Sequence, residues 1–435
     1  MISSCIDNAP AICEPLARQR SRRLTLRVNF LWTLAGNVIY AACQWGILVA
    51  LAKLGTPQMV GEFALALAVT APILIGAGLS LRSVQATDAL REHKFRDYFS
   101  LRLLTTAAAV LAVAGVVWFS GYGTHAAAVI LIVGIAKGFE SISDIVHGLW
   151  QQHERMDLIA GSLMLKGVLS LGIVALAIYF TGDLRVGACG LVFVWALILL
   201  SYDARWAANV LGVVRPIRLR LRWRSRTLGA LAWLALPAGV VMALVSFNIN
   251  VPRYFVEYHL GTAQLGIFAA MAYPMVAGGT IVGALGQSAT PRLSQYYASG
   301  ERRAFLSLLL KLVGLASAVG LAAVLVIALA GRPILLLLYR PEYAEHVTAF
   351  LLLAIATALG YVASILGYGM TAARYFRAQL PVFMLTTAVT AAACALLVPR
   401  HQLAGAALAM SLATLCQGAA SAAVIVHALK NGRIK

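Results

Sequence analysis

Apolar residues run along this chain in long, nearly unbroken blocks separated by short polar joints. The blocks fall at about 28–50, 61–81, 103–120, 126–149, 157–180, 186–204, 228–251, 263–288, 306–330, 347–370, 378–398 and 403–427. An α-helix needs roughly 20 apolar residues to cross a hydrocarbon core about 30 Å thick. Transmembrane β-strands would read instead as alternating segments of about ten residues. Continuous blocks satisfy their backbone in a bilayer only as helices. The pattern predicts an all-α integral membrane protein with twelve spans, punctuated by Gly, Pro or charge clusters at most joints.

Composition sharpens this picture. Of 435 residues, 61% are apolar and 12% charged, and the mean hydropathy is +0.84. Soluble domains carry about twice that charged fraction, so a soluble enzyme, a secreted disulfide scaffold and a disordered tail are excluded. Twelve spans leave no length for a large extramembrane domain. The polar stretch before the first span is too long, and lacks the small-residue cleavage site, for a removable signal. No Walker motif occurs, so ATP use is not expected. Cys5 and Cys13 lie in the polar tail, while Cys43, Cys189, Cys394 and Cys416 lie in apolar blocks. No CxxC pair occurs, so neither a disulfide framework nor a zinc site is expected.

The formal net charge of +19 points to orientation rather than to nucleic acid, because the basic residues sit mainly between spans. With the N-terminus inside, 27 of the 35 Lys and Arg residues fall on the cytoplasmic side and 6 on the other; Lys137 and Lys166 remain within the membrane. This bias predicts cytoplasmic termini. The expected plan is a basic tail (1–27), a six-helix lobe (28–211), a basic linker (212–227), a second six-helix lobe (228–430) and a short cytoplasmic end (431–435). In the linker, arginine alternates with Ile217, Leu219, Leu221 and Trp223. In extended form this stripe would lie on an anionic leaflet, making anionic membrane lipids a candidate partner; it serves equally as a topology anchor.

A repeat supports the two lobes. Leu54-Gly55-Thr56-Pro57-Gln58-Met59-Val60-Gly61-Glu62-Phe63-Ala64 returns, one residue shorter, as Leu260-Gly261-Thr262-Ala263-Gln264-Leu265-Gly266-Ile267-Phe268-Ala269. Each copy leads into a span with Pro-x-x-x-Gly, at Pro72–Gly76 and Pro274–Gly278, about one helical turn out of register. Six spans per half is an even number, which predicts parallel repeats about an axis along the membrane normal.

Candidate chemistry concentrates in the fourth span. Lys137, Glu140, Asp144, His147 and Gln151 follow at spacings of 3, 4, 3 and 4 and share one helical face. Charge inside a bilayer is costly and marks function. Lys137 and, from the fifth span, Lys166 are candidates to bind an anionic head. Glu140 and Asp144 are candidates for a coupling H+ or Na+. The same residues also fit a structural arrangement, with Lys137 paired to Glu140 and Lys166 neutralising Asp144. Asn29, Asn37 and Gln44 share a face of the first span and, with His147, are candidate polar lining; packing between helices is the alternative. Pro72 and Pro274 are hinge candidates, and Pro237 is a further kink. No catalytic constellation, metal set or cofactor motif is recognised.

Asn29-Phe30-Leu31-Trp32-Thr33-Leu34-Ala35-Gly36-Asn37, the joint Leu54-Gly55-Thr56-Pro57 through Gly61-Glu62-Phe63, and Gly78-Leu79-Ser80-Leu81-Arg82-Ser83-Val84-Gln85-Ala86-Thr87-Asp88 resemble the polysaccharide transporter family. This family comprises the Wzx-type flippases of O-antigen, capsule or exopolysaccharide units within the multidrug/oligosaccharidyl-lipid/polysaccharide exporter superfamily. The resemblance implies two six-helix lobes around a central cavity that alternates between inward-open and outward-open. It further implies a bacterial inner-membrane location, a polyprenyl-pyrophosphate-linked oligosaccharide moved to the periplasmic leaflet, and basic cavity residues facing the pyrophosphate. Polymerases and glycosyltransferases of the same pathway are the implied protein partners. Two other readings fit the scaffold: a cation-coupled multidrug-type exporter, and a membrane-embedded polymerase or ligase, which the short outer loops disfavour.

Overall fold

The computed structural model describes residues 25–88, 92–212 and 225–431. The tail before Thr25, most of the linker and the last four residues lie outside the described residues, and so do the arginine stripe and its lipid contact.

The described chain is helical throughout its ordered elements. The first half contains α1 (Leu26–Leu54), α2 (Pro57–Ala77), the short α3 (Leu81–Thr87), α4 (Phe95–Ser120), α5 (Thr124–Gln152), α6 (Met156–Thr181), α7 (Leu184–Ile198) and α8 (Ala204–Val210). The second contains α9 (Ser225–Leu260), α10 (Thr262–Ala272), α11 (Pro274–Ala298), α12 (Arg302–Leu338), the single turn α13 (Pro341–Ala344), α14 (Val347–Ala372) and α15 (Phe376–Asn431). At 56 residues α15 is far too long for one crossing. Gln402 takes φ 51° inside it and turns the chain back, so α15 supplies the last two spans. All twelve predicted spans are present.

Local sequence explains the joints. Thr56 caps α2 by accepting the Met59 amide, with Pro57 in the first helical position. Gly121 and Gly182 end α4 and α6 in the left-handed region at φ 66° and 61°. The kinks are fewer than proline count suggests. Helices α2 and α9 run on through Pro72 and Pro237. The marked bend, 43°, falls between α10 and α11 at Tyr273–Pro274. A widened π-turn, Leu199–Asp203, joins α7 to α8 within the sixth span.

The chain forms two parallel six-helix lobes. Within the first, α1 packs on α6, and α5 packs on α2, α4 and α7; within the second, α14 packs on α11, α12 and α15. The face carrying the tail and linker is called the basic face here, and the opposite one the far face. The repeated joints meet at the far face. A methyl group on Gly61 would collide with the Thr262 carbonyl, and one on Gly266 with the Pro57 carbonyl. Thr262 and Pro57 belong to the opposite copies of the same motif, so the contact is reciprocal, as a two-fold relation requires. Glycine is needed at both positions because backbone meets backbone.

Other contacts hold the lobes together on that side. Trp45 Nε1 donates to Tyr339 OH (3.1 Å), Tyr339 OH donates to the Ala270 carbonyl (2.8 Å), and Arg340 Nη2 donates to the Lys53 carbonyl (3.0 Å). One lateral edge is sealed much further: Tyr254 OH donates to the Ala68 carbonyl, and Gly239 lies against Leu79. Near the basic face, Leu228, Leu231 and Ala235 of α9 join a core with Leu81, Tyr98, Leu101 and Ile145. The other edge is different. Helix α1 touches the second lobe mainly through α10 near the far face. Its other half exposes Phe30, Leu31, Trp32, Leu34 and Val38. The lobes therefore close at the far face and part towards the basic face along the α1 edge.

Candidate functional site

The polar stripe of α5 faces its own lobe and the space between lobes. Lys137 Nζ lies 2.7 Å from Glu140 Oε2 and 4.9 Å above the Trp195 ring. Tyr40 OH of α1 donates to Glu140 Oε1 at 2.7 Å. This group is partly open, with Lys137 and Glu140 side chains 25% and 30% exposed. Lys137 is thus held by an i,i+3 pair one turn long.

Lys166 behaves otherwise. It is 1% exposed and bonds Asp203 Oδ2 at 3.1 Å. Asp203 also accepts Ser143 Oγ (2.6 Å) and Ser162 Oγ (2.7 Å), so its two oxygens receive three donors. The π-turn sets Asp203 at that point, inside the lobe. A buried charge persists only when paired and hydrogen-bonded in this way. The partner of Lys166 is therefore Asp203, not the expected Asp144.

Asp144 serves two guanidinium groups. Arg82 Nη1 lies 3.0 Å from Oδ1, and Arg102 Nη2 lies 3.2 Å from Oδ2. Arg82 Nε donates to Gln151 (3.1 Å) and Arg102 Nη1 to Ser141 (3.3 Å). Arg102 is almost wholly buried, and its Nε has no hydrogen-bond partner among the described residues.

The expected lining is partly corrected. His147 is buried; its Nε2 lies 3.2 Å from Ser162 Oγ and its ring stacks on Trp150. It fills the interior of the first lobe between α5 and α6 rather than lining a cavity. Asn37 is exposed and bonds the Thr33 carbonyl (2.7 Å). Asn29 Oδ1 and Gln44 Nε2 are buried without partners among the described residues.

The second lobe offers little charge. Every ion pair among the described residues lies in the first lobe. Arg253, placed by charge counting on the outer side, is within α9 and half-buried. Its Nη1 donates to Asn250 Oδ1 at 2.8 Å, and no carboxylate among the described residues pairs with it. Asn248 accepts Thr390 Oγ1 (3.0 Å) inside the second lobe.

Asp203, Arg82, Arg102 and Arg253 are the charged residues that sequence reasoning left out of the site. Asp203 and Arg82 had a signal: one lies inside the sixth predicted span, the other in the family-like segment after the second. Arg102 and Arg253 fall at span ends, where sequence assigns them to loops. At the far face, His125 bridges Glu62 (2.8 Å) and Asp183 (3.5 Å). Arg185 grips Asp183 from the side and holds its carboxyl at about 2, below the usual value. No group of three His, Cys, Asp or Glu residues suited to a metal ion occurs among the described residues.

Comparison with known proteins gives the fold a context. No family model matches the chain. It is 28% identical over 384 residues to the Capsular polysaccharide biosynthesis protein CapF of Staphylococcus aureus, covering 88% of this chain and 95% of that protein. The fold matches an inward-facing multidrug resistance MATE family transporter of the MOP superfamily, with TM-score 0.73, 13% identity and 91% and 97% of the two chains covered. It also matches the lipid II flippase MurJ in an inward closed conformation, with TM-score 0.71, 11% identity and coverage of 92% and 89%. These similarities support the resemblance to polysaccharide transporters, and the chain is a multi-pass membrane protein that shares its fold with transporters of that superfamily.

Proposed function

We propose that this transporter is a flippase. It carries a polyprenyl-pyrophosphate-linked oligosaccharide from the leaflet at its basic face to the leaflet at its far face, in the bacterial inner membrane with both termini cytoplasmic. The carrying observation is the unequal sealing of the two lateral edges. Helix α9 is packed on the first lobe along most of its length, whereas α1 leaves the opposite edge open below its contact with α10. A gap open to the bilayer lets a lipid tail stay in hydrocarbon while its head crosses between the lobes. A sealed tube for a small solute needs no such gap.

The charge distribution supports the same reading. A pyrophosphate alone in hydrocarbon would be prohibitive, so it needs fixed cations along its path. Arg253 carries a positive charge that no carboxylate among the described residues pairs with. Lys137, partly open beside Glu140, can turn towards the space between the lobes. Asn37, exposed on α1, offers its side-chain carbonyl oxygen to sugar hydroxyls. Alternating access then follows from opening the Gly61–Gly266 seam and closing the α1 edge. A coupling H+ or Na+ at Glu140 or Asp144 would have to compete with the resident Lys137 or Arg82. No step of this cycle makes or breaks a covalent bond, and polymerisation falls to partner enzymes of the pathway.

In a deletion strain, extracted lipid-linked oligosaccharide should be complete and confined to the cytoplasmic leaflet, as read by an impermeant glycosidase. Complementation with Arg253→Ala should restore flipping at least about tenfold more slowly than wild type, the scale of one charge-assisted contact. Units that reach the periplasmic leaflet without this protein would overturn the reading. An unchanged lipid pool with altered drug tolerance would replace it with the multidrug-type exporter, whose scaffold this chain shares.

A further inference from the structure

We infer that Arg82, Arg102 and Asp144 form a phosphate-binding subsite between Lys137 and the basic face. Asp144 is its resident counter-ion, which an arriving phosphate displaces from Arg82. The identity of the ligand rests on the flippase reading; the anion chemistry does not.

Charge arithmetic is the first support. Within the first lobe, Glu140 is matched by Lys137 and Asp203 by Lys166. Asp144 is shared by two arginines, which leaves one positive charge in excess at this point. Accessibility is the second. The Arg82 and Asp144 side chains are each 35% exposed, while Arg102 behind them is 4% exposed. One arginine is thus anchored in the lobe and the other is free to exchange partners. Hydrogen bonding is the third. Arg82 Nε is occupied by Gln151 and Arg102 Nη1 by Ser141, so the forks are aimed, yet Arg102 Nε remains without an acceptor among the described residues. Each guanidinium aims one N–H at a different oxygen of the same carboxylate, an arrangement that suits two oxygens of one phosphate.

The backbone also favours a built site. Leu79 and Ser80 are both left-handed, at φ 51° and 49°. Two consecutive non-glycine residues in that region are costly and persist only where the surroundings hold them. This turn starts α3 so that Arg82 reaches α5. Asp144 lies seven residues from Lys137 on α5, about 10 Å closer to the basic face. A phosphate would meet this subsite before Lys137 and Arg253. The same chemistry could be met by the pyrophosphate of a lipid-linked sugar or by the headgroup of an anionic phospholipid.

The test uses the full chain in nanodiscs of zwitterionic lipid, with inorganic pyrophosphate as probe and Arg253→Ala as background to silence the unpaired cation within α9. Calorimetric titration should show binding that weakens with salt. Arg82→Gln should lower affinity about tenfold, and Asp144→Asn should raise it by a similar factor, since the probe no longer competes with a carboxylate. A purely structural Asp144 would give weaker binding or misfolding on Asp144→Asn, never tighter binding. Arg82→Lys, which keeps the charge but loses the fork, should fall between wild type and Arg82→Gln. Affinity indifferent to both Arg82→Gln and Asp144→Asn overturns the subsite. Repeating the titration with phosphatidylglycerol in the disc separates the sources. Pyrophosphate affinity that falls with added phosphatidylglycerol, and only where Arg82 is intact, assigns the subsite to phospholipid headgroups; unchanged affinity assigns it to the soluble or lipid-linked diphosphate. If flipping in cells fails its own test while these effects persist, the subsite stands and the lipid-linked reading falls.

Discussion

The two lobes descend from one plan yet handle charge in opposite ways. In the first, Glu62, Asp97, Arg102, His147, Lys166 and Asp203 are buried. In the second, the buried polar groups are Ser246, Asn250, Thr386, Thr390 and Ser421, none of them charged. The hydroxyl groups Thr386 and Thr390 satisfy themselves on carbonyls four residues back along α15. Duplication therefore preserved the seam, where Gly61 and Gly266 are interchangeable, and not the interior. The first lobe pairs its interior cations with acids, whereas the second places Arg253 within α9 with no acidic partner among the described residues. A moving anion needs both: rigid walls that do not collapse on it, and a site that is not already neutralised.

That contrast can be broken most severely at Lys166. Lys166→Met leaves Asp203 charged and buried, which should cost about 3–5 kcal/mol. Adding Asp203→Leu should recover much of this loss, as read by thermal unfolding in detergent. A double variant as unstable as the single would mean that the pair is not the unit. Next in size is the seam. Gly61→Ala or Gly266→Ala should cost about 1–3 kcal/mol in the far-face-closed state through overpacking. Impermeant maleimide labelling of a cysteine introduced at Gln264 should rise in the Gly61→Ala background.

Smaller effects sharpen the difference between lobes. Tyr40→Phe removes one hydrogen bond to Glu140 and should cost about 1 kcal/mol. Arg253→Met should change stability by no more than about 0.5 kcal/mol, because no ion pair is lost, while flipping falls. A large loss of stability there would show that Arg253 is structural, like the cations of the first lobe. The weakest effect is acid dependence at the far face. The Asp183 carboxyl is held low by Arg185, at about 2. Its contribution is complete above the ordinary value near 4 and disappears as pH falls towards 2. Arg185→Ala should flatten that acid-side dependence by lowering the melting midpoint slightly at neutral pH, where the contribution is complete, and leaving it unchanged near pH 2.

Much of the site was legible as a list and little of it as a set of pairs. The 3,4 spacing of Lys137, Glu140, Asp144, His147 and Gln151 correctly placed them on one stripe, because helix periodicity is local. The partners were not local. Asp203 stands 37 positions from Lys166, and Arg82 62 positions from Asp144. Pairing by nearness in sequence joined Lys166 to Asp144 and missed both arginines. Arg253 was misplaced for a related reason: a charged residue near the end of a hydrophobic block reads as loop, yet α9 continues to Leu260.

Sequence alone determined the twelve helices, their length and their division into two similar halves, since bilayer thickness and backbone hydrogen bonding leave an apolar chain few alternatives. It also determined where the seam's glycines recur. Tertiary structure decided which carboxylate neutralises which cation, which lateral edge stays open and where positive charge is left over. Those outcomes depend on distances between helices remote in sequence. At low dielectric a few ångströms separate a satisfied ion pair from an available charge, and no local pattern encodes that distance.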